Sequence, residues 1–375
     1  MKENTEKAFF ALLRAGLWEK DVSLASFGDV DFSELLQLSE EQSVVGLVAA
    51  GLEHVTDTRP EKKDKLQFIG RVAQLEQRNQ AMNYFIGVLV DKMRADEIFT
   101  LLVKGQGVAQ CYERPLWRAC GDVDFFLDAD YEKAKAFLTP LAASVEPEGK
   151  ASKHFGMTID PWVVELHGTL LCGLSKRMDE VLSVVQKDTF ENGNVRIWKD
   201  GDTEVYLPGA DNDVVFIFTH FLKHFYKGGL GLRQICDWCR LLYCYRNSLD
   251  MALLNRRLQD MGLMSEWRAF GAFAIGYLGM PVEAMPLCDL RGKKEDARWR
   301  RKAELIKVFI MMSGNFGHCR DTSYYSKYPY VIRKLYSFGR RIGDTFRHSL
   351  IFPLDSIRFL PSIVVNGLKS AARGE

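Results

Sequence analysis

The chain has almost no net charge and no long apolar run. Its 375 residues carry 50 Lys and Arg against 49 Asp and Glu, so the formal net charge is +1. A nearly neutral chain gives no overall argument for an anionic partner such as nucleic acid. Because no apolar run approaches the roughly 20 residues that span a bilayer, we expect no transmembrane segment.

Signals for export and for a disulfide framework are also missing. Residues 1–7 are polar and lead into an amphipathic pattern, which is not typical of a signal peptide. The eight cysteines are scattered along the chain, so we expect reduced thiols. These features together predict a cytoplasmic protein. No internal repeat or low-complexity segment is evident.

Length and patterning predict an α+β protein in three parts. A chain of this size can bury a large core and can hold two or three subdomains. We predict an N-terminal helical lobe over 1–97, a small α+β core with a mixed sheet over 98–208, and a C-terminal helical region with a basic tail over 209–375.

Apolar spacing predicts the individual elements. Helical periodicity indicates helices over 32–50, 61–95, 129–141, 213–226 and 232–245. Gly228-Gly229 is predicted to separate the last two helices. Strand patterns occupy 98–103, 121–127, 154–159 and 162–167. The last two strands are predicted to meet at Asp160-Pro161, a turn-type dipeptide.

The strand over 121–127 carries Asp122 and Asp124. Side chains two apart on a strand point to the same face, so these carboxylates are predicted to lie together. Like charges at that distance are costly unless a cation lies between them, and hard divalent ions such as Mg²⁺ prefer oxygen ligands. A surface strand with two solvated aspartates is the alternative that this pair alone leaves open.

A glycine-rich turn precedes this strand. Lys104-Gly105-Gln106-Gly107 follows an apolar strand and begins a short helix, where backbone N–H groups can meet phosphate oxygens. The alternative is a tight connection that needs glycine for a positive φ. Arg118 could neutralise a phosphate or brace the carboxylates, although a surface arginine is equally compatible with its surroundings.

A third carboxylate occurs in the strand over 162–167. Glu165 interrupts an apolar run and shares a face with His167, while Val164 and Leu166 are predicted to face the core. A charged group in such a strand should be paired, metal-bound or at the end of the sheet. Three carboxylates on adjacent strands beside a glycine turn are typical of a two-metal phosphoryl-transfer site.

These motifs together resemble a known family. Lys104-Gly105, Arg118 with Gly121-Asp122-x-Asp124, and Glu165-Leu166-His167 are similar to the uncharacterised nucleotidyltransferase family of the DNA polymerase β-like superfamily. The segments 220–225 and 231–238 resemble the helical part of that family, so the resemblance covers about residues 60–250. The wider superfamily usually has Gly-Ser at the turn, where this chain has Gly105-Gln106.

The resemblance implies a minimal nucleotidyltransferase fold in which Asp122 and Asp124 hold Mg²⁺. Glu165 matches the third acidic position, as metal ligand or as general base for the acceptor hydroxyl. We expect two Mg²⁺ ions and a nucleoside triphosphate (NTP) as donor. The residues that we expect to contact the nucleotide are Lys104, Gly105, Gln106, Gly107, Arg118, Gly121, His167, Lys223, Arg233 and Asp237.

The predicted activity is transfer of a nucleoside monophosphate to a hydroxyl, with release of pyrophosphate. The acceptor could be a small molecule, a sugar, a protein or RNA. The alternative is a nucleotide-binding or interaction protein without turnover, although all three acidic positions are filled. The basic tail from Ser326 onward could bind nucleic acid or an anionic membrane surface, but a solvated helical face is the favoured interpretation.

The pairs His220/His224 and Cys236/Cys239 have zinc-like spacing. Both pairs occur in apolar helical patterns, whereas structural zinc sites usually place Cys-x-x-Cys in a turn. We therefore interpret the two cysteines as small buried hydrophobes. His220 and its neighbours around the glycine break are more typical of hydrogen bonding between helices than of a ligand site.

Overall fold

The structure is a computed structural model that describes residues 3–57, 60–148, 153–227, 229–288, 293–314 and 327–372. Gly228, part of the predicted break between two helices, and Cys319 lie outside the described residues. The predicted α+β class is confirmed, with a mixed five-stranded sheet and helices on both of its sides.

The five-stranded sheet has the order β1-β2-β5-β4-β3. Its strands are β1 Leu101–Val103, β2 Asp122–Phe126, β3 Ser144–Val145, β4 His154–Ile159 and β5 Trp162–His167. The central pair β2 and β5 is parallel, and the other pairs are antiparallel. A separate antiparallel hairpin consists of β6 Val195–Asp200 and β7 Thr203–Pro208.

Helices precede, accompany and follow the sheet. The first four are α1 Glu3–Trp18, α2 Phe32–Glu41, α3 Val45–Glu53 and α4 Lys62–Ala95. Those within the sheet region are α5 Gly105–Ala109, α6 Tyr131–Leu138 and α7 Lys176–Phe190. The later ones are α8 Ala210–Lys227, α9 Leu232–Tyr245, α10 Met251–Met261, α11 Met264–Leu278, α12 Lys293–Ser313, α13 Tyr330–Ile351 and α14 Pro353–Ala372.

Two hydrophobic clusters hold these layers together. The smaller one joins α4 to one face of the sheet, through residues such as Met82, Val123 and Val164. The larger one packs the first helices against the later ones, for example Phe9 with Trp238 in one continuous core. The first and last parts of the chain therefore share a core, and the three-part division at 97 and 208 stays a prediction.

One predicted helix is wrong. The segment 32–50 forms two helices, because α2 ends at Glu41 and α3 begins at Val45. Ser43 between them has φ +57°, which a helix does not allow. The break is stabilised from elsewhere in the chain: the buried Gln42 side chain donates to Ile310 O at 3.4 Å and accepts from Leu232 N at 3.1 Å. Such long-range bonds leave no local signal.

Other boundaries shift by a few residues. The strand expected over 98–103 begins at Leu101, because Glu97 has φ +53° and Ile98 N donates to Met93 O to close α4. The helix expected over 129–141 is α6 followed by a 3₁₀ turn at Thr139–Leu141. Asp130 precedes α6, but its carboxylate accepts from Phe99 N rather than capping the helix.

The basic tail forms α13 and α14, which pack partly onto the larger core. Ile351, Phe352 and Phe359 are buried there. Phe346 and Leu354 are exposed. Among the described residues, no helix is long and apolar enough to cross a membrane.

Candidate active site

The register of the parallel strands β2 and β5 places the three predicted carboxylates together. Asp124 lies directly opposite Glu165, and Asp122 lies two residues earlier on the same face of β2. The intervening Val123 and Val164 are buried on the other face. Carboxylate oxygens of Asp122, Asp124 and Glu165 lie within 4.8 Å of one another. Strand alternation therefore gathers three acidic groups where the sequence predicted them.

Lys104 supplies a positive charge to this cluster. It follows β1, whose last residue Val103 pairs with Asp124, and its Nζ lies 2.6 Å from Asp124 Oδ1. Burial opposes the charged ammonium, but the charges of Asp124, Asp122 and Glu165 raise the pKa of Lys104 above its usual value. The side chain expected at a phosphate therefore contacts a carboxylate in this structure.

The three carboxylates are unequally compensated. Burial and the nearby charge of Asp124 raise the pKa of Asp122. For Asp124, burial acts in the same direction, but Lys104 and His167 outweigh it and lower the pKa. For Glu165, hydrogen bonds with two imidazoles outweigh burial and lower the pKa. Asp122 is thus the carboxylate of the three that the surrounding cations compensate least.

Two histidines border the acidic cluster. His167 Nε2 lies 2.7 Å from Asp124 Oδ1 and 3.5 Å from Glu165 Oε2. His154 Nε2 lies 3.0 Å from the same Glu165 oxygen. His154 was not among the predicted site residues. The predicted turn at Asp160-Pro161 could have identified it, because a hairpin that turns there pairs His154 with His167.

The glycine turn forms α5, a helix of five residues that begins at Gly105. Gly105 has φ +36° and lines a cleft between the sheet and the helices α8 and α9, beside the acidic cluster. Gln106 points away from it, because its buried side chain donates to Asn79 Oδ1 at 2.9 Å. A Cβ on Gly107 would lie 2.8 Å from Leu207 Cδ2, so this glycine permits close packing against β7.

Arg118 and Asp237 form a buried ion pair rather than two separate contacts to a ligand. Arg118 Nε donates to Asp237 Oδ1 at 2.8 Å, and its Nη2 donates to Oδ2 at 2.7 Å. Tyr112 Oη also donates to Asp237 Oδ1, at 2.8 Å. The pair fixes α9 against the segment that leads into β2.

The remaining predicted residues surround the same region. Arg233 Nη1 donates to Ala119 O at 2.8 Å, while its buried Nε has no hydrogen-bond partner among the described residues. Lys223 lines a neighbouring cavity together with Lys104 and His167. Its pKa is lowered by burial and by the charge of Lys104. Apart from the chain neighbours of Gly121, no atom of the described residues lies within 4 Å of a Cβ placed on it, so the space beside the start of β2 is open.

A cleft connects these groups. It runs between the sheet and the helices α8 and α9. Its walls are formed by Lys104, Gly105, Arg118, Asp122, Asp124, Ile217, His220, Phe221, Arg233, Gln234 and Asp237. Seven of the predicted site residues therefore face one space, and α8 and α9 form its far wall.

The zinc-like pairs do not converge. Cys236 and Cys239 lie on the buried face of α9, within the larger hydrophobic cluster, and burial raises the pKa of both thiols. His220 and His224 face each other, with 3.0 Å between their Nε2 atoms. Within the described ranges, the groups of three or more close metal-ligating side chains are Asp122/Asp124/Glu165 and His154/Glu165/His167. The cysteines pack as buried hydrophobes, as predicted.

A model of a known protein family matches most of this chain. Residues 28–274, well over half of the chain, match the family model described as an uncharacterised nucleotidyltransferase. No curated protein matches the chain, and no solved structure does. The matched range includes the sheet, the acidic cluster, and the helices α8 and α9 that border the cleft.

Proposed function

The chain belongs to the uncharacterised nucleotidyltransferase family, and on that premise we propose that it is a Mg²⁺-dependent nucleotidyltransferase. It would move a nucleoside monophosphate from an NTP to a hydroxyl acceptor and release pyrophosphate. The acceptor would be a small molecule, a sugar, a protein or RNA. The observation that carries the proposal is the cluster of Asp122, Asp124 and Glu165 beside Lys104.

The residues fit a hard divalent cation. All three groups of the cluster offer carboxylate oxygens, the ligand type that Mg²⁺ prefers. Burial and the charge of Asp124 raise the pKa of Asp122, and a cation bound beside this carboxylate would offset both effects. Asp122 and Asp124 would bind both ions, and Glu165 would complete one site. When bound, Mg²⁺ would neutralise the triphosphate and the charge that develops on the leaving pyrophosphate.

Protein side chains would accept the proton of the hydroxyl and bind the phosphates. Glu165, if it is not a ligand, would accept the proton of the acceptor hydroxyl as the third carboxylate of the cluster. Lys104 can exchange its contact with Asp124 for a phosphate oxygen once cations occupy the cluster. Arg233 and Lys223 project from α9 and α8 as further cations for the triphosphate.

The other predicted nucleotide contacts would act more indirectly. Gly105 and Gly121 would allow the nucleotide to approach the backbone, because neither carries a side chain beside the cleft. Arg118 and Asp237 would position α9 through their ion pair. Gln106 and Gly107 would support the turn from within, and His167 would border the nucleotide site beside Asp124 and Glu165.

Substitution of the paired aspartates tests the proposal. We expect Asp122→Asn and Asp124→Asn to abolish pyrophosphate release from NTPs while circular dichroism and the unfolding temperature stay close to those of the wild type. Asp128→Asn is the matched control, because Asp128 lies just beyond β2 on an exposed position. Full turnover by either site variant would refute the proposal.

Calorimetry distinguishes the enzyme from a nucleotide-binding protein on the same scaffold. NTPs are titrated with and without Mg²⁺, and pyrophosphate is measured in parallel over a broad set of acceptors. The proposal predicts Mg²⁺-dependent binding together with pyrophosphate release. Binding without release across the acceptor set would favour the non-catalytic function.

A further inference from the structure

We propose that His154, Glu165 and His167 form a second metal site, one that selects a transition metal such as Zn²⁺ or Co²⁺. The three side chains come from the antiparallel pair β4 and β5, in which His154 lies opposite His167. Their ligating atoms lie within 4.8 Å of one another. This site goes beyond the proposed function, because a nucleotidyltransferase cluster of three carboxylates does not need an imidazole.

The distances suit a single ion. Ligands bound at about 2.0–2.1 Å in a tetrahedral arrangement lie about 3.4 Å from each other. Glu165 Oε2 is 3.0 Å from His154 Nε2 and 3.5 Å from His167 Nε2. One carboxylate oxygen therefore faces two imidazole nitrogens at separations close to those between two ligands of one metal ion. Metal binding would replace the present hydrogen-bond contacts of these groups, including the one of 2.7 Å between His167 Nε2 and Asp124 Oδ1.

The ligand chemistry determines the class of metal. Mg²⁺ takes oxygen ligands, whereas imidazole nitrogen favours Zn²⁺, Co²⁺ and related ions. Two histidines and one carboxylate also leave coordination positions open, as in catalytic rather than structural zinc sites. The site is accessible, because the side chains of His154 and Glu165 are 38% and 26% exposed.

Glu165 belongs to both groups of ligands. The Asp122/Asp124/Glu165 group and the His154/Glu165/His167 group share this one carboxylate. Their ions would therefore lie side by side, with a hard cation at the aspartates and a borderline cation at the imidazoles. The site would make the protein respond to the supply of transition metal as well as to Mg²⁺.

Cobalt titration of the full chain tests this inference without relying on activity. The protein is treated with a chelator, dialysed and titrated with Co²⁺ while visible absorption is recorded, since strong ligand-field bands distinguish Co²⁺ of low coordination number from octahedral Co²⁺ held by oxygen ligands and water. We expect the wild type to bind one Co²⁺ through these residues. His154→Ala should weaken Co²⁺ binding at least about tenfold. Substitution of residues that only hydrogen-bond to metal ligands already lowers metal affinity on the order of 10- to 100-fold, and His154 is itself a ligand in this proposal.

A matched control and a second variant make the result decisive. His54→Ala removes another histidine that lies 2.6 Å from a glutamate, Glu19, far from the cluster, and it should bind Co²⁺ like the wild type. His154→Gln keeps a polar side chain at the position and should also lose the absorption bands. Unchanged bands in both folded His154 variants would overturn the inference.

The two proposals fail separately. Asp122 does not belong to the imidazole-containing group, so Asp122→Asn should abolish nucleotidyl transfer while Co²⁺ binding persists. Loss of Co²⁺ binding in Asp122→Asn, with His154→Ala unaffected, would assign the metal to the aspartates instead. Absence of transfer in the wild type, together with Co²⁺ bands that require His154, would refute only the proposed function.

Discussion

The buried pair of Arg118 and Asp237 permits a quantitative test of how the cleft is built. The two side chains are 5% and 7% exposed and make two parallel hydrogen bonds of 2.8 and 2.7 Å. Burial opposes the charge of Arg118, but the adjacent Asp237 raises the pKa of the guanidinium above its usual value. Removal of one partner would leave the other charge buried without compensation.

The expected magnitude follows from this burial. Breaking a buried ion pair by removing one partner costs about 3–5 kcal/mol, whereas replacing both partners by apolar groups of similar volume is often nearly neutral. We therefore expect Asp237→Asn and Arg118→Met each to lower the free energy of unfolding by about 3–5 kcal/mol. The double variant Arg118→Met/Asp237→Asn should lose much less than the sum of the two, because neither charge is then left buried without its partner.

Urea unfolding followed by circular dichroism measures these differences. Glu180→Gln is the control, because Glu180 pairs with Lys176 at 3.6 Å on an exposed helix surface, where an ion pair contributes about 0–1 kcal/mol. A loss in Asp237→Asn no larger than that in Glu180→Gln would refute the structural role. Strictly additive single and double variants would also refute it.

Three further predictions concern groups away from the acidic cluster. Burial and the charge of Asp355 raise the pKa of Glu266 to about 8. The protonated carboxyl therefore stabilises the fold at low pH, and this stabilisation is lost as the pH rises from about 4.5 to about 8. Glu266→Gln should flatten this decline of the unfolding free energy with pH in a series of unfolding curves. Gly16→Ala should destabilise the protein, because its Cβ would lie 1.8 Å from Leu47 O, whereas Gly70→Ala, with open space around it, should stabilise α4 by about 0.5–1 kcal/mol. A hydrogen bond from Cys111 and nearby arginines lower the pKa of the exposed Cys244 to about 6, so peptide mapping should find it alkylated at pH 7 before the other described cysteines.

Each of these predictions has a clear contrary result. A pH profile of stability that is the same in wild type and Glu266→Gln would contradict the raised pKa. Equal unfolding temperatures for the two glycine variants would contradict the close packing of α1 on α3. Labelling of buried Cys236 at the same rate as Cys244 would contradict their different environments.

Local patterns predicted the strands that carry the acidic cluster. Alternation along β5 separates Glu165 from the buried Val164 and Leu166, and the same rule places Asp122 and Asp124 on one face of β2. Both follow from the two-residue period of a strand, which depends only on neighbouring residues. The turn at Asp160-Pro161 likewise fixed the bounds of β4 and β5.

Contacts between distant segments could not be predicted in the same way. The break after α2 depends on bonds from Gln42 to residues 190 and 268 positions away. The partner of Arg118 lies 119 residues further along the chain. Lys104 was expected at a phosphate, and only the pairing of β1 with β2 shows that its ammonium reaches Asp124.

Transfer of a labelled α-phosphate tests the central claim most directly. The protein is incubated with Mg²⁺ and an NTP labelled at the α- or the γ-phosphate, alone and with RNA, protein and small-molecule acceptors. The account predicts that the α-label appears on an acceptor, that the γ-label leaves with pyrophosphate, and that Asp124→Asn abolishes both. Transfer of the γ-label, or α-label transfer that persists in Asp124→Asn, would contradict it.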